Sequence, residues 1–273
     1  RLKIMSRLDI TENRLPQDGR FKIKLPDKEV DFRVSVLPVH FGNKVVMRIL
    51  DKNALSLGLG NLGFLPETLN AFEAAIAKPF GMILITGPTG SGKSTTLYSI
   101  LNQLNTPEKN IITIEDPIEY QVRGITQIQA RPEIGLDFAS GLRAVLRQSP
   151  DIVMVGEIRD SETADISIKA SLTGQLVLST LHTNDASGAM TRLMDMKIEP
   201  FLIASSVVLV AAQRLCRKIC SFCKEKIDIP KQVFDKMGIS IDVIAPDPKT
   251  RLFLKGKGCE KCGQTGYCGR MGV

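Results

Sequence analysis

Apolar and polar residues follow two different periods along this chain, and the change of period divides it. Phe21-Lys22-Ile23-Lys24-Leu25 alternates, Pro26-Asp27-Lys28 carries turn residues, and Val30-Asp31-Phe32-Arg33-Val34-Ser35-Val36 alternates again. Two alternating runs around a short polar turn predict a β-hairpin, and Val45 to Leu50 continues as a third strand. Residues 1–52 therefore read as a small β-rich domain. Asn53 to Gly63 contains three glycines and reads as a linker. Its leucines, Leu55, Leu57 and Leu59, imply that it packs in part against a domain.

From Pro66 the pattern turns to α/β. A helix near Glu67–Ala77 leads to the apolar run Met82-Ile83-Leu84-Ile85-Thr86, which reads as a buried parallel strand. Helical spacing follows at Leu97, Ile100, Leu101 and Leu104. Then come a strand at Ile111–Ile114, a helix near Phe138–Arg147 and a strand at Ile152–Val155. A helix near Ser161–Leu172, a strand at Leu176–Ser179 and two more helices up to Arg214 complete the pattern. Strands alternating with helices imply a parallel sheet with ligands at the carboxyl ends of its strands.

Between the strand ending at Thr86 and the helix after it lies Gly87-Pro88-Thr89-Gly90-Ser91-Gly92-Lys93-Ser94, which fits the phosphate-loop pattern G-x-x-x-x-G-K-[ST] and is followed by Thr95. Its glycines let backbone N–H groups converge on phosphate oxygens, and the helix N-terminus adds partial positive charge. Lys93 reaches the β- and γ-phosphates in this reading, and the Ser94 hydroxyl holds Mg²⁺. A chance glycine turn would lack the strand before it and the helix after it. The expected ligand is a nucleoside triphosphate.

Three further strand ends carry polar groups. Asp151 to Glu157 is an apolar strand ending in a carboxylate, suited to holding Mg²⁺ or polarising an attacking water. Glu115-Asp116-Pro117-Ile118-Glu119 follows another apolar strand. Both acidic clusters face the phosphates if their strands neighbour the loop strand, and spacing does not decide which carboxylate is the general base. Ser179-Thr180-Leu181-His182-Thr183-Asn184 ends the next strand, where His182 is placed to sense or donate to a γ-phosphate. A satisfied structural histidine is the plainer alternative.

Composition separates the C-terminal quarter from the rest. The 273 residues allow one large or two modest domains. No apolar run approaches the ~20 residues that span a bilayer, and no signal peptide opens the chain, which reads as a fragment of a longer protein. Of the net charge of +7, all lies in residues 214–273, with 13 basic against 6 acidic side chains. The same stretch holds all six cysteines, including Cys220-Ser-Phe-Cys223 and Cys259-Glu-Lys-Cys262, two C-x-x-C pairs 35 residues apart. Paired thiolates at this spacing suit one tetrahedral Zn²⁺. Redox thiols or plain buried thiols are the alternatives, and a cytosolic setting argues against disulfides. Residues 230–255 supply room for a small helical insert, and Cys216 and Cys268 are spare thiols.

Together these motifs closely resemble the hexameric secretion ATPases that drive type II secretion and type IV pilus assembly. The resemblance rests on GPTGSGKST (87–95), ITIEDPIEY (112–120), DIVMVGEIRD (151–160) and STLHTN (179–184), with PQDGRF (16–21), DFRVSVLP (31–38) and VVMRIL (45–50) similar to the family's second N-terminal domain. It implies a RecA-like P-loop ATPase core (61–273), a partial, PAS-like α+β domain (1–52), a linker (53–60) and an inserted tetracysteine zinc subdomain (216–268). It also implies an Asp box at Glu115–Glu119 with Asp116 near the nucleotide, an atypical second nucleotide motif ending at Glu157, and a His box around His182. Arg33 and Arg48 become arginines that complete the site from the small domain, Arg143 and Arg147 further phosphate-side or interface contacts, and Arg270 a weaker candidate. ATP, Mg²⁺ and Zn²⁺ are the implied cofactors. The implied setting is a homo-oligomer, a hexamer by the resemblance, peripheral on the cytoplasmic face of the inner membrane. Its implied partners are a platform protein, a cytoplasmic adaptor and acidic phospholipid. A nucleic-acid translocase is the rival reading. The scarcity of stacking aromatics, with no Trp and three Tyr, argues against it, and the full set of polar strand ends argues against a scaffold without catalysis.

Overall fold

The computed structural model describes residues 1–26, 29–50, 58–238, 240 and 253–273. The turn residues Asp27 and Lys28, the linker residues 53–57 with Leu55 and Leu57, and half of the expected insert lie outside these described residues.

The alternating N-terminal runs form a three-stranded antiparallel sheet of β1 (Gln17–Lys24), β2 (Glu29–Val39) and β3 (Gly42–Leu50). Period-2 alternation gives it two distinct faces. Phe21 pairs in register with Phe32, their rings stacked at 5.0 Å, and both lie with Val34 and Val36 on an apolar face packed by Leu2 and Leu8. Leu2 belongs to the short helix α1 (Leu2–Met5). A side chain at Gly19 would meet the Ser6 carbonyl at 2.7 Å, so glycine there lets the 6–8 segment lie against the sheet. The opposite face carries Arg20, Lys22, Asp31, Arg33 and Arg48.

The second sheet has six parallel strands in the order β6-β5-β7-β8-β4-β9. They are β4 (Gly81–Thr86), β5 (Ile111–Glu115), β6 (Thr126–Gln129), β7 (Ile152–Val155), β8 (Leu176–Leu181) and β9 (Val207–Ala212). Every residue of β4, β5, β7 and β8 is buried, as parallel strands covered on both faces must be. One face packs on α2 (Pro66–Ile76) through Phe72 and Ile76 and on α3 (Lys93–Leu104) through Leu97, Ile100, Leu101 and Leu104. The other packs on α4 (Phe138–Leu146), α5 (Ser161–Leu172), α6 (Ala186–Asp195) and α7 (Pro200–Ser206), with Leu142, Ile168, Leu193 and Ile203 at the contact. Asp137, Asp160 and Asp185 cap α4, α5 and α6 by accepting the backbone N–H of Ser140, Thr163 and Gly188. Leu59 is 2 % exposed in the α2/α3 core, so the latter part of the expected linker packs as its leucine pattern implies.

Two elements depart from the sequence expectation. Helix does not continue to Arg214: after α7 the run Val207–Ala212 is strand β9, parallel to β4. Short apolar runs do not separate strand from buried helix by period, and the β-branched Val207, Val208 and Val210 decide for strand. β6 was not anticipated, because Thr-Gln-Ile-Gln offers one apolar side chain and forms a half-exposed edge.

Beyond β9 the chain builds two small antiparallel ribbons, β10 (Leu215–Ile219) with β13 (Tyr267–Gly272) and β11 (Lys224–Ile227) with β12 (Phe253–Gly256). Within the expected insert, helix α8 (Lys231–Lys236) is described, and residues 253–255 belong to β12.

Candidate functional site

The parallel register brings four functional strand ends to one edge: Thr86 pairs with Leu181, Val155 with Ser179, and Ile114 with Val155. The loop after β4 turns through Gly87, Gly90 and Gly92 at φ 138°, 79° and 92°. These values favour glycine, and at Gly87 a side chain would in addition collide with the Gln213 carbonyl and with Ser91 Oγ. α3 begins at Lys93 with no side-chain cap, which leaves its first N–H groups to an oxyanion. Lys93 Nζ donates to the carbonyls of Gly87 (2.8 Å) and Pro88 (3.2 Å) and so lies inside the cradle. Burial pushes the Lys93 pKa down, opposed by the nearby Glu157 carboxylate. Ser94 is exposed at the first turn of α3, and Pro88, Thr89 and Gly90 are exposed along the loop. A glycine cradle, a lysine inside it and a hydroxyl at the helix start fit a triphosphate with Mg²⁺.

His182 leaves β8, the neighbour of β4, whereas Glu157 leaves β7, one strand further. The acidic strands are thus not direct neighbours of the loop strand. Glu157 and His182 nonetheless meet, Oε2 to Nε2 at 3.0 Å, while Glu157 Oε1 accepts from Arg159. Glu157 is the inner group, its side chain 14 % exposed against 53 % for His182. Burial works to raise the Glu157 pKa, but Arg159 and His182 outweigh it and hold the carboxyl below the ordinary range. A carboxylate kept charged beside an imidazole can accept a proton from water or orient it.

Glu115, expected among the nucleotide contacts, is placed otherwise. It is 4 % exposed, and its carboxylate accepts from Tyr98 Oη (2.5 Å), Thr113 Oγ1 (2.6 Å) and Gln127 Nε2 (3.2 Å). Its strand is two removed from β8 and three from β4. A carboxylate so enclosed supports the loop after β5. Asp116 on that loop is exposed, and Glu119 points to the small sheet, 3.9 Å from Arg33 Nη1.

Arg33 does not stand alone. Strand register aligns Arg20, Arg33 and Arg48 in one row across β1, β2 and β3. Directly opposed like charges destabilise a sheet, so such a row suits an anionic partner better than it suits stability. Arg20 and Arg159 were missed by the sequence reading. The alternation of Arg20, Lys22 and Lys24 was the available signal for the first, and the position two residues past the Glu157 strand end for the second. Arg143 forms an ion pair with Glu162 on α5, and Arg147 Nη1 donates to the Arg143 carbonyl at 2.9 Å. Arg270 is exposed on β13 in register with Arg217. None of these three makes a contact with the phosphate loop among the described residues.

The two C-x-x-C turns lie at the ends of the paired ribbons and bring Cys220, Cys223, Cys259 and Cys262 together, with sulfurs within 4.8 Å of one another. Cys220 to Cys259 and Cys223 to Cys262 are each 3.9 Å, and Cys259 to Cys262 is 3.7 Å. A tetrahedron with Zn–S bonds of about 2.3 Å has sulfurs about 3.8 Å apart, so the donor set fits zinc. The Cys259 and Gly266 N–H groups donate to Cys262 Sγ at 3.2 and 3.3 Å, a pattern that favours thiolate. Burial opposes this, yet those donors bring the Cys262 thiol down to about 6. Cys216 and Cys268 are exposed and outside the cluster.

The sequence profile described as type II/IV secretion system protein matches residues 1–273. The chain is 54% identical over 276 residues to the type IV pilus assembly ATPase PilB of Myxococcus xanthus, covering 100% of this chain and 48% of that protein. It is 52% identical to the type II secretion system ATPase E of Vibrio cholerae, covering 100% and 53%. The chain thus spans about half the length of the curated relatives it matches. Among solved structures, the pilus retraction motor PilT with bound ADP is similar at TM-score 0.63 and 28% identity, over 87% of this chain and 80% of that one. The Legionella pneumophila ATPase DotB is similar at TM-score 0.61 and 29% identity, over 74% and 59%. With its phosphate loop, its parallel sheet and a profile match along its whole length, this chain belongs to the type II/IV secretion system protein family.

Proposed function

We propose that this chain is the ATP-hydrolysing core of a motor for type II secretion or type IV pilus assembly. The observation that carries the reading is the meeting of Glu157 and His182 at the sheet edge, with Lys93 close enough to feel the Glu157 charge. Lys93 and the N–H groups of the loop hold the β- and γ-phosphates, and Ser94 ligates Mg²⁺. Bound Mg²⁺ supplies charge neutralisation on the phosphate oxygens. Glu157 orients the attacking water and takes its proton, while His182 holds the carboxylate in place and faces the γ-phosphate side. Arg33 and Arg48, with Arg20 in the same row, come from the small sheet to the developing negative charge.

The loose, part-exposed pairing of Arg33 with Glu119 supports a residue that can leave its partner, since such pairs are worth roughly 0–1 kcal/mol. The four cysteines hold Zn²⁺, which ties the two ribbons into one arm. We infer a ring of subunits, six by family resemblance, at the cytoplasmic face of the inner membrane, where the basic arm meets a platform protein, its adaptor or acidic lipid. Among the described residues no helix is long and apolar enough to cross a membrane.

Glu157→Gln tests the chemistry, because it keeps the shape and removes the charge. In the full-length protein it is expected to lower kcat by about 10²-fold or more, with nucleotide affinity retained by the loop. Unchanged phosphate release would overturn the role of Glu157. Single-stranded DNA is expected to leave the wild-type rate unchanged, and stimulation by it would favour a translocase instead.

A further inference from the structure

Tyr98 stands one and a half turns into α3, the helix that the phosphate loop opens, and is 1 % exposed. Its hydroxyl has one proton, which goes to Glu115 Oε2 at 2.5 Å. The hydroxyl oxygen lies 3.3 Å from Gln127 Nε2, which shares its two protons among this oxygen, Glu115 Oε1 (3.2 Å) and the Tyr120 carbonyl (2.8 Å). Gln127 Oε1 accepts from the Val122 N–H at 2.8 Å. The cluster therefore grips the backbone on both sides of Gln121. Within and next to this held stretch, the same loop touches the small sheet at two points, Gln121 Oε1 to Lys22 Nζ (3.3 Å) and Glu119 to Arg33 (3.9 Å).

We propose that Tyr98 is a positioning residue that links the phosphate-loop helix to the contact between the Asp-box loop and the N-terminal sheet. The proposal rests on the hydrolytic reading above. α3 holds the Tyr98 hydroxyl, the hydroxyl holds the Glu115–Gln127 cluster, and the cluster sets where the loop carrying Glu119 and Gln121 stands against Arg33 and Lys22. A buried carboxylate with three donors resists internal rearrangement, so the cluster holds the loop as a unit.

Tyr98→Phe in the full-length protein keeps the ring and removes the link. Amide hydrogen exchange at residues 116–122 is expected to speed up about tenfold, while the β4 and β8 amides keep their protection. In the same variant kcat is expected to fall about tenfold with KM for ATP changed less than about threefold. Gln121→Ala, at an exposed position, is expected to lower kcat as well, and its effect should shrink in the Tyr98→Phe background. Unchanged exchange at 116–122 would overturn the proposal. So would loss of protection across the whole sheet, or additive effects of the two substitutions, because a merely structural tyrosine gives those results. The exchange measurement needs no turnover: an inactive wild type would sink the motor reading and leave this link testable by itself.

Discussion

Arg33→Ala is expected to lower kcat by about 10³-fold in the assembled full-length protein while nucleotide affinity stays nearly constant. That loss corresponds to about 4 kcal/mol of transition-state stabilisation. The reasoning begins in the sheet. Three guanidiniums aligned across β1, β2 and β3 repel one another, and the Glu119 carboxylate stands a loose 3.9 Å from Arg33 Nη1. A γ-phosphate in transfer carries the charge that this row lacks. In the proposed reading the arginines meet that charge late, so their loss should appear in kcat and hardly in ground-state binding. Arg33→Lys is expected to recover less than about a tenth of the lost rate, since an ammonium lacks the planar donor fork. Phosphate release under saturating ATP, measured beside fluorescent-nucleotide binding, checks both parts. Near-normal turnover by assembled Arg33→Ala would remove Arg33 from the site.

The second large effect concerns the arm. Stripping zinc, or replacing Cys262 by Ser, is expected to unfold both ribbons while the six-stranded sheet stays intact. Structural zinc contributes about 10–16 kcal/mol of apparent binding free energy in small zinc modules. Two-stranded ribbons have little else to hold them, because an isolated two-stranded pair is marginal in water. Cys220 is fully buried, whereas most of the surrounding strand residues are exposed, so the four sulfurs, beside the Phe234–Phe253 ring contact at 5.3 Å, form the effective core of this region. Limited proteolysis should then cut within residues 216–268, and metal analysis should fall from about one zinc per chain to none. Reduced, freshly purified protein with less than one zinc per chain and the same cleavage pattern as the variant would defeat the assignment.

How far the sequence spoke depended on the range of the interaction. The phosphate loop, the four fully buried strands and the N-terminal hairpin are written in local patterns, and each formed where its pattern lies. The cysteine pairs were also legible, because a turn brings two thiols together without help from the rest of the chain. Strand order was not. Nothing in the spacing of Asp151–Glu157 says that β8 lies between it and the phosphate loop. Glu115 shows the same limit: a carboxylate at a strand end reads as a ligand until Tyr98 and Gln127, 17 and 12 residues away, are seen to enclose it. Arg20 became visible as a partner of Arg33 only through register. β9 was lost to the ambiguity of a six-residue apolar run.

The double coverage of the large sheet fixes what this molecule can use as its frame of reference. Strands buried on both faces cannot slide without opening voids in two cores at once, and close-packed interiors resist that strongly. In the proposed motor the edge bearing Lys93, Glu157 and His182 is therefore a chassis, and travel falls to the parts mounted on it. Distances measured between that edge and the small sheet would record stroke; distances within the edge would record only breathing.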